Sequence, residues 1–165
     1  MSASRNIGLA VAGCLFGTLA TTAYPATPCS EAADPGDPGI AILRCGSVIV
    51  AAETTSIHSP ASSMSSHQGT IQLDDGAIAV SAESLVSQFS TLTPDAVVTG
   101  SGGDWVIVAE SGHTRAAVWR GTVVVRLRRD GSQTVLRPGD AKPTEVESSR
   151  SERLAQALKR AKTRS

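Results

Sequence analysis

The chain has 165 residues, fifteen basic and fifteen acidic side chains, 41% hydrophobic residues and only 3% aromatic ones. That length supports one domain with a modest core, and so few aromatic rings argue against a platform for stacked single-stranded bases, so no nucleic-acid partner is expected. The zero net charge hides an asymmetry: residues 1–110 carry two basic against ten acidic side chains, residues 111–165 thirteen basic against five acidic. Such a split allows two readings, an anionic partner for the basic half or two halves that lie side by side and neutralise each other.

Residues 1–6 are short and polar with Arg5, residues 7–20 are apolar or small throughout, and Thr21-Thr-Ala23 supplies small residues for cleavage. This is the order of a secretory signal peptide over residues 1–23. Two alternatives stay open: an uncleaved leader that anchors the chain, and lipidation at Cys14 after Val11-Ala-Gly13. The expected location is therefore periplasmic or secreted, with membrane anchoring as the alternative. Cys29 and Cys45 remain after the leader, an even pair in an oxidising compartment, and read as a disulfide. It closes a Pro/Gly/Asp-rich stretch, residues 30–39, expected to be a loop, and a bridge of this span is worth about 3 kcal/mol by chain entropy. Residues 24–45 thus form a disulfide-closed N-terminal loop ahead of a β region spanning 46–143.

Residues 46–52 read as the first strand, and the Ser/Thr-rich residues 53–68 as a long loop. Asp74-Asp75-Gly76 between apolar runs at 69–73 and 77–80 is a hairpin signal. Short strands are expected at 85–89 and 96–98. From residue 95 to 140, glycines at 103, 112, 121, 131 and 139 punctuate β-branched runs. Strands of about five residues with a turn every 8–12 predict an all-β sandwich or short β-solenoid. In residues 121–128, Val123, Val125 and Leu127 alternate with Val124, Arg126 and Arg128, which gives one buried and one charged face. Asp130-Gly131 then turns into residues 132–136. Pro138 and Pro143 end the β region. Ser149-Arg-Ser-Glu152 fits a capping box, and Leu154, Ala157, Leu158 and Ala161 recur at helical spacing. Residues 144–165 therefore form a basic amphipathic helix and tail, exposing Arg153, Lys159, Arg160 and Lys162.

Reaction chemistry is sparse. His58, Met64 and His67 share one loop without the spacing of a metal motif, and no metal or cofactor is expected. Ser111-Gly-His113 lacks a nucleophile elbow and an acid. Gly100-Ser-Gly-Gly103 leads into a strand where a phosphate loop needs a helix N-terminus. The Pro-Gly-Asp turn at 138–140 also occurs in cupin barrels, but the cupin metal histidines are absent. The chain is not expected to be an enzyme.

Residues 69–140 resemble the FecR-type domain of bacterial envelope signalling proteins. The resemblance is carried by Leu73-Asp-Asp-Gly-Ala-Ile78, Thr93-Pro-Asp-Ala-Val-Val98, Gly103-Asp-Trp-Val-Ile-Val108, residues 114–119 running into Arg120-Gly-Thr-Val-Val124, and Val135-Leu-Arg-Pro-Gly139. Full-length members are similar to membrane-spanning regulators with a cytoplasmic anti-sigma segment, which the six residues before the apolar leader do not provide. The resemblance implies an exported, non-catalytic interaction or sensory module of the cell envelope that binds another envelope protein. The alternative is an electrostatic binder of anionic lipid or polysaccharide through the basic half. For either, the partner-facing residues are expected to be Arg126, Arg128, Arg153, Lys159 and Arg160.

Overall fold

The structure is a computed structural model and describes residues 29–54, 69–83, 88–140 and 145–164. The leader, the loop bearing His58, Met64 and His67, and the first residues of the strand expected at 85–89 lie outside the described residues.

Nine strands and one helix make up the described fold: β1 (Ser30–Asp34), β2 (Asp37–Cys45), β3 (Val48–Glu53), β4 (Gly69–Gln72), β5 (Gly76–Ala82), β6 (Gln88–Leu92), β7 (Ala96–Glu110), β8 (His113–Leu127), β9 (Gln133–Leu136) and α1 (Glu145–Lys162). They form one curled sheet, a half-barrel, in the order β1-β2-β3-β5-β7-β6-β4, with β8 on the other edge of β7 and β9 beyond β8. Every pairing is antiparallel except β4 with β6. This is the all-β class with one C-terminal helix that the sequence predicts, in an antiparallel form that sets it apart from the parallel stacking of a solenoid.

The long strands make the curl. β7 gives residues 103–109 to β5 and residues 97–101 to β6 on one edge, while β8 runs along the other edge. The β7–β8 register shifts between Ser101 and Trp105, a bulge of the kind that bends a strand and increases its twist. The two halves of the sheet then face each other across one core. Period-two alternation fills it: Val48, Val50 and Ala52 from β3, Ile78, Val80 and Ala82 from β5, Trp105, Ile107 and Ala109 from β7, with Phe89, Val98 and Val123 opposite. The other face of β2, β3, β5 and the second half of β7 builds a second core from Ile40, Ile42, Ile49, Ala51, Ala77, Ala79, Val106 and Val108. Helix α1 covers it with Leu154, Ala157, Leu158 and Ala161. Small residues on both sides let the helix come close to the sheet.

Four expectations change. Residues 30–45 are not a loop: β1 and β2 pair, with Cys29 and Cys45 at disulfide distance, S–S 2.16 Å. Pro38 and Gly39 fall where the pairing skips from Asp34–Asp37 to Ala33–Ala41, so the missing proline N–H breaks no rung of this ladder. Asp74-Asp75-Gly76 turns the chain but makes no hairpin. β4 pairs with β6, whereas β5 is a central strand with β3 and β7 on its two edges. Gly103 and Gly121 are not turns between short strands but lie inside or beside the bend of two fifteen-residue strands. The helix begins at Glu145, four residues before the capping-box serine, so Ser149-Arg-Ser-Glu152 lies inside it.

At the bend the backbones touch. A Cβ on Gly121, where φ is +87°, would sit 2.2 Å from the Gly102 carbonyl oxygen, and one on Gly103 would sit 2.1 Å from that of Arg120. Gly121→Ala is expected to cost about 3 kcal/mol or more, because positive φ and a backbone clash add and no rotamer relieves either. Gly112→Ala, at a turn with φ +75° and open space around it, is expected to cost only about 1 kcal/mol. Urea unfolding midpoints of the two variants check the order.

Candidate interaction surfaces

The cations of α1 face the acids of the first half of the chain. Arg153 donates to Asp37 at 2.6 Å, Arg160 Nε to Asp34 at 3.2 Å, Lys162 Nζ to Asp104 at 2.6 Å, and Arg150 pairs with Glu53 at 3.2 Å and with Glu110. In return Arg44, one of the two basic residues before position 111, donates to the Ala161 carbonyl in the last turn of the helix. There a cation also suits the negative end of the helix dipole. The charge split between the halves is thus used internally, as the side-by-side reading expects.

The pairs differ in setting. The Asp34 side chain is only 1% exposed, so its carboxylate depends on Arg160 for compensation. Asp37 is held below the usual carboxylate range chiefly by the Arg153 guanidinium, against an opposing effect of burial. For Asp104, burial pushes upward, but hydrogen bonds from Arg120 at 2.9 Å and from Lys162 outweigh it and hold the carboxyl below its ordinary value.

The expected partner-facing residues therefore separate. Arg153 and Arg160 belong to the helix–sheet contact. Lys159 is exposed on the helix. Arg126 and Arg128, both exposed, lie on β8 and just after it, far from the helix in the topology. Arg128 lines a cleft of about 600 Å³ with Arg129, His113, Asp95, Pro94, Gly112 and Leu127. At its base Asp95 is already engaged. It accepts from the Thr114 amide at 3.2 Å and from the Thr114 hydroxyl, while Thr93 Oγ1 lies 2.6 Å from Thr114 Oγ1 and takes the Ala96 amide at 3.1 Å. Burial raises the Asp95 pKa, but these donors hold it below the ordinary value. Thr93-Pro-Asp95 thus works as a clasp between the starts of β7 and β8.

Arg126 stands on the outer face of the other half of the sheet. Register places Gln133, Arg126, Val97 and Leu92 in one row and Val135, Val124, Thr99 and Ser90 in the next. Ser90 and Thr99 hydrogen-bond across the strands at 3.0 Å. Val135 is 52% exposed. Helix α1 lies over β2, β3 and β5 and leaves this face to other neighbours. Sequence reasoning picked out Arg126 here but not the neutral rows around it, although period-two alternation in 121–128 puts Val124 beside Arg126.

A second surface was missed altogether. β8 pairs with β7 over nearly all of its length, Trp119 and Gly121 falling at the register shift, but β9 takes only residues 123–126. Trp119, at the register shift, is 40% exposed. Arg115, Ala117 and Trp119 share one face by alternation, a signal present in the sequence. Groups of three or more metal-ligating side chains are absent among the described residues.

No family model and no curated protein matches the chain. Two crystal structures of a candidate anti-sigma factor from Parabacteroides distasonis ATCC 8503, at 2.50 and 1.65 Å resolution, are similar to it at a TM-score of 0.40, with 17% and 16% identity over 67% of this chain. The chain spans about half, 47%, of the length of that protein.

Two predictions test the helix contact. Arg160→Ala strands the buried Asp34 carboxylate and is expected to lower the melting temperature by several degrees, whereas Lys159→Ala leaves it unchanged; thermal unfolding at neutral pH compares them. Asp37 and Asp104 have folded-state pKa values below their ordinary value of 3.8. Their stabilisation is present above that value and is lost as pH falls through the lowered folded values. Melting temperature is therefore expected to fall steeply below about pH 4, and less steeply in Asp104→Asn, which begins about 1 kcal/mol less stable at pH 7.

Proposed function

We propose that the chain is an exported, non-catalytic module of FecR-like type in the bacterial cell envelope, and that it binds another envelope protein on the outer face formed by β6, β7, β8 and β9. One observation carries the reading. Among the described residues the outer surface of the sheet is divided: one half is covered by a helix whose Arg150, Arg153, Arg160 and Lys162 pair with the sheet's own acids, and the other carries half-buried Val, Thr and Ser rows beside the exposed Arg126. Neutral rows with one charge suit a protein surface that brings an acidic group to Arg126, since complementary charge sets orientation and rate while apolar contact supplies affinity. The apolar leader and the Cys29–Cys45 pair support an oxidising location.

The electrostatic alternative, binding of anionic lipid or polysaccharide through the basic half, has less to work with. Arg150, Arg153, Arg160 and Lys162 already face carboxylates.

The test is photo-crosslinking in cells from a reactive amino acid at Val135 or Thr99, with Gln156 on the exposed side of α1 as the reference. A discrete protein adduct is expected from the two sheet positions and not from Gln156, reduced about tenfold by Arg126→Glu and little changed by added salt. Adducts only from Gln156, or capture abolished by moderate salt, would overturn the reading.

A further inference from the structure

The two ends of β8 meet at one residue. Asp95, just before β7, accepts the Thr114 amide on its carboxylate at 3.2 Å, and its main-chain carbonyl accepts the Arg128 amide at 2.8 Å. An extended strand would hold residues 114 and 128 about 45 Å apart, so the curl of the sheet returns the start and the end of β8 to a common seam. The cleft of about 600 Å³ opens there. His113 lines it from the start of β8, Leu127, Arg128 and Arg129 from the end, and Pro94 and Asp95 from the connection before β7.

We propose that this seam binds a small organic anion, a carboxylate or phosphate head on an apolar body. Charge selects the head. The two carboxylate oxygens of Asp95 are taken by the Thr114 amide and the Thr114 hydroxyl, and Arg129 pairs with Asp130 at 3.3 Å. Among the described residues no carboxylate pairs with the Arg128 guanidinium, which is exposed at the cleft. Its planar fork of donors matches two oxygens of a carboxylate or of a phosphate. His113, also exposed, offers a ring N–H from the other end of the strand. Volume selects the body. Small-molecule sites span roughly 300–1,000 Å³. At about 600 Å³ the cleft is far larger than a bare oxyanion, which leaves room for an apolar group against Pro94 and Leu127. An occupant held by both His113 and Arg128 ties the two ends of β8 together. Neither residue belongs to the Arg126 row, so the site does not depend on a protein partner there.

NMR titration of the ¹⁵N-labelled chain tests this, with phenyl phosphate, benzoate, inorganic phosphate and benzyl alcohol added at constant ionic strength. Phenyl phosphate or benzoate is expected to give saturable shifts at the amides of residues 112–114 and 127–129, at least about tenfold tighter than inorganic phosphate, with no response to benzyl alcohol. Saturation by phenyl phosphate alone assigns a phosphate head, by benzoate alone a carboxylate, and by both a site for either. Arg128→Gln is expected to weaken binding about tenfold with unchanged circular dichroism, and Lys159→Gln to leave it unchanged. The bound anion should also raise the melting temperature of the chain and not that of Arg128→Gln. Absence of saturable shifts with both organic anions, an equal response to benzyl alcohol, inorganic phosphate binding as tightly as the organic anions, or binding indifferent to Arg128→Gln would overturn the proposal.

Discussion

The fold depends on one bend, shared by two strands that cannot bend independently. β7 and β8 pair over nearly all of their fifteen residues, so a change of direction in one must be matched in the other at the same rung. The match is made where Gly103 and Gly121 bring their backbones together with no side chain between them. Beyond the bend, Trp105 swings back over its own strand. Its indole lies where a Cβ on Gly100 would be, 2.7 Å away. The largest fully buried side chain of the protein is therefore accommodated by a glycine five residues earlier. Without the bend, β5 and β6 would follow one another along a flat β7 edge and the apolar faces of the two halves would not meet.

Curling buries one face only. The other is buried over β2, β3 and β5 by α1, and here apolar packing and charge have different tasks. Leu154, Ala157, Leu158 and Ala161 remove apolar surface from water on both partners, which is the larger and non-directional contribution. The rim pairs add little net free energy where exposed, since attraction between solvated charges is offset by desolvation and ordering. What they add is register. Asp34, Asp37 and Asp104 each meet a different cation along the helix, and sliding α1 by one turn would leave the Asp34 carboxylate enclosed without a counter-charge.

The sequence was legible where one local rule had a single outcome. Alternation in residues 121–128 correctly separates Val123 and Val125 from Val124 and Arg126, Asp130-Gly131 makes its hairpin, and the helical face at 154–161 is the buried one. It was misleading where the same residue serves two purposes. Glycine supplies positive φ in a turn, as at Gly112 and Gly131, and it also permits backbone contact inside a strand, as at Gly103 and Gly121. A spacing of eight to ten residues is the same for both. Asp74-Asp75-Gly76 shows the complementary difficulty: a turn is local, but which strands pair after it depends on which edges are free, and β5 was needed between β3 and β7. The ion pairs of Arg153 and Arg160 lie outside any sequence rule, because they join positions more than a hundred residues apart. Arg126 could be singled out from its strand, whereas the neutral rows around it required knowing the strand register.

The location of α1 is thus what connects fold to function. By lying over β2, β3 and β5 it divides the outer surface of the sheet, among the described residues, into an internal contact that engages Arg150, Arg153, Arg160 and Lys162 and an outer face where neutral side chains surround Arg126. Five cations of the basic half, Arg120, Arg150, Arg153, Arg160 and Lys162, are the counterparts of carboxylates in the acidic half. Among the described residues, the Arg126 face belongs to strands on the far side of the bend, and the exposed Trp119 sits at it. Both involve β7 and β8, whose starts are joined by the Thr93–Asp95–Thr114 clasp. Side chains held on paired strands lose less freedom on contact than side chains on a loop, which is the physical advantage of placing the proposed docking face there.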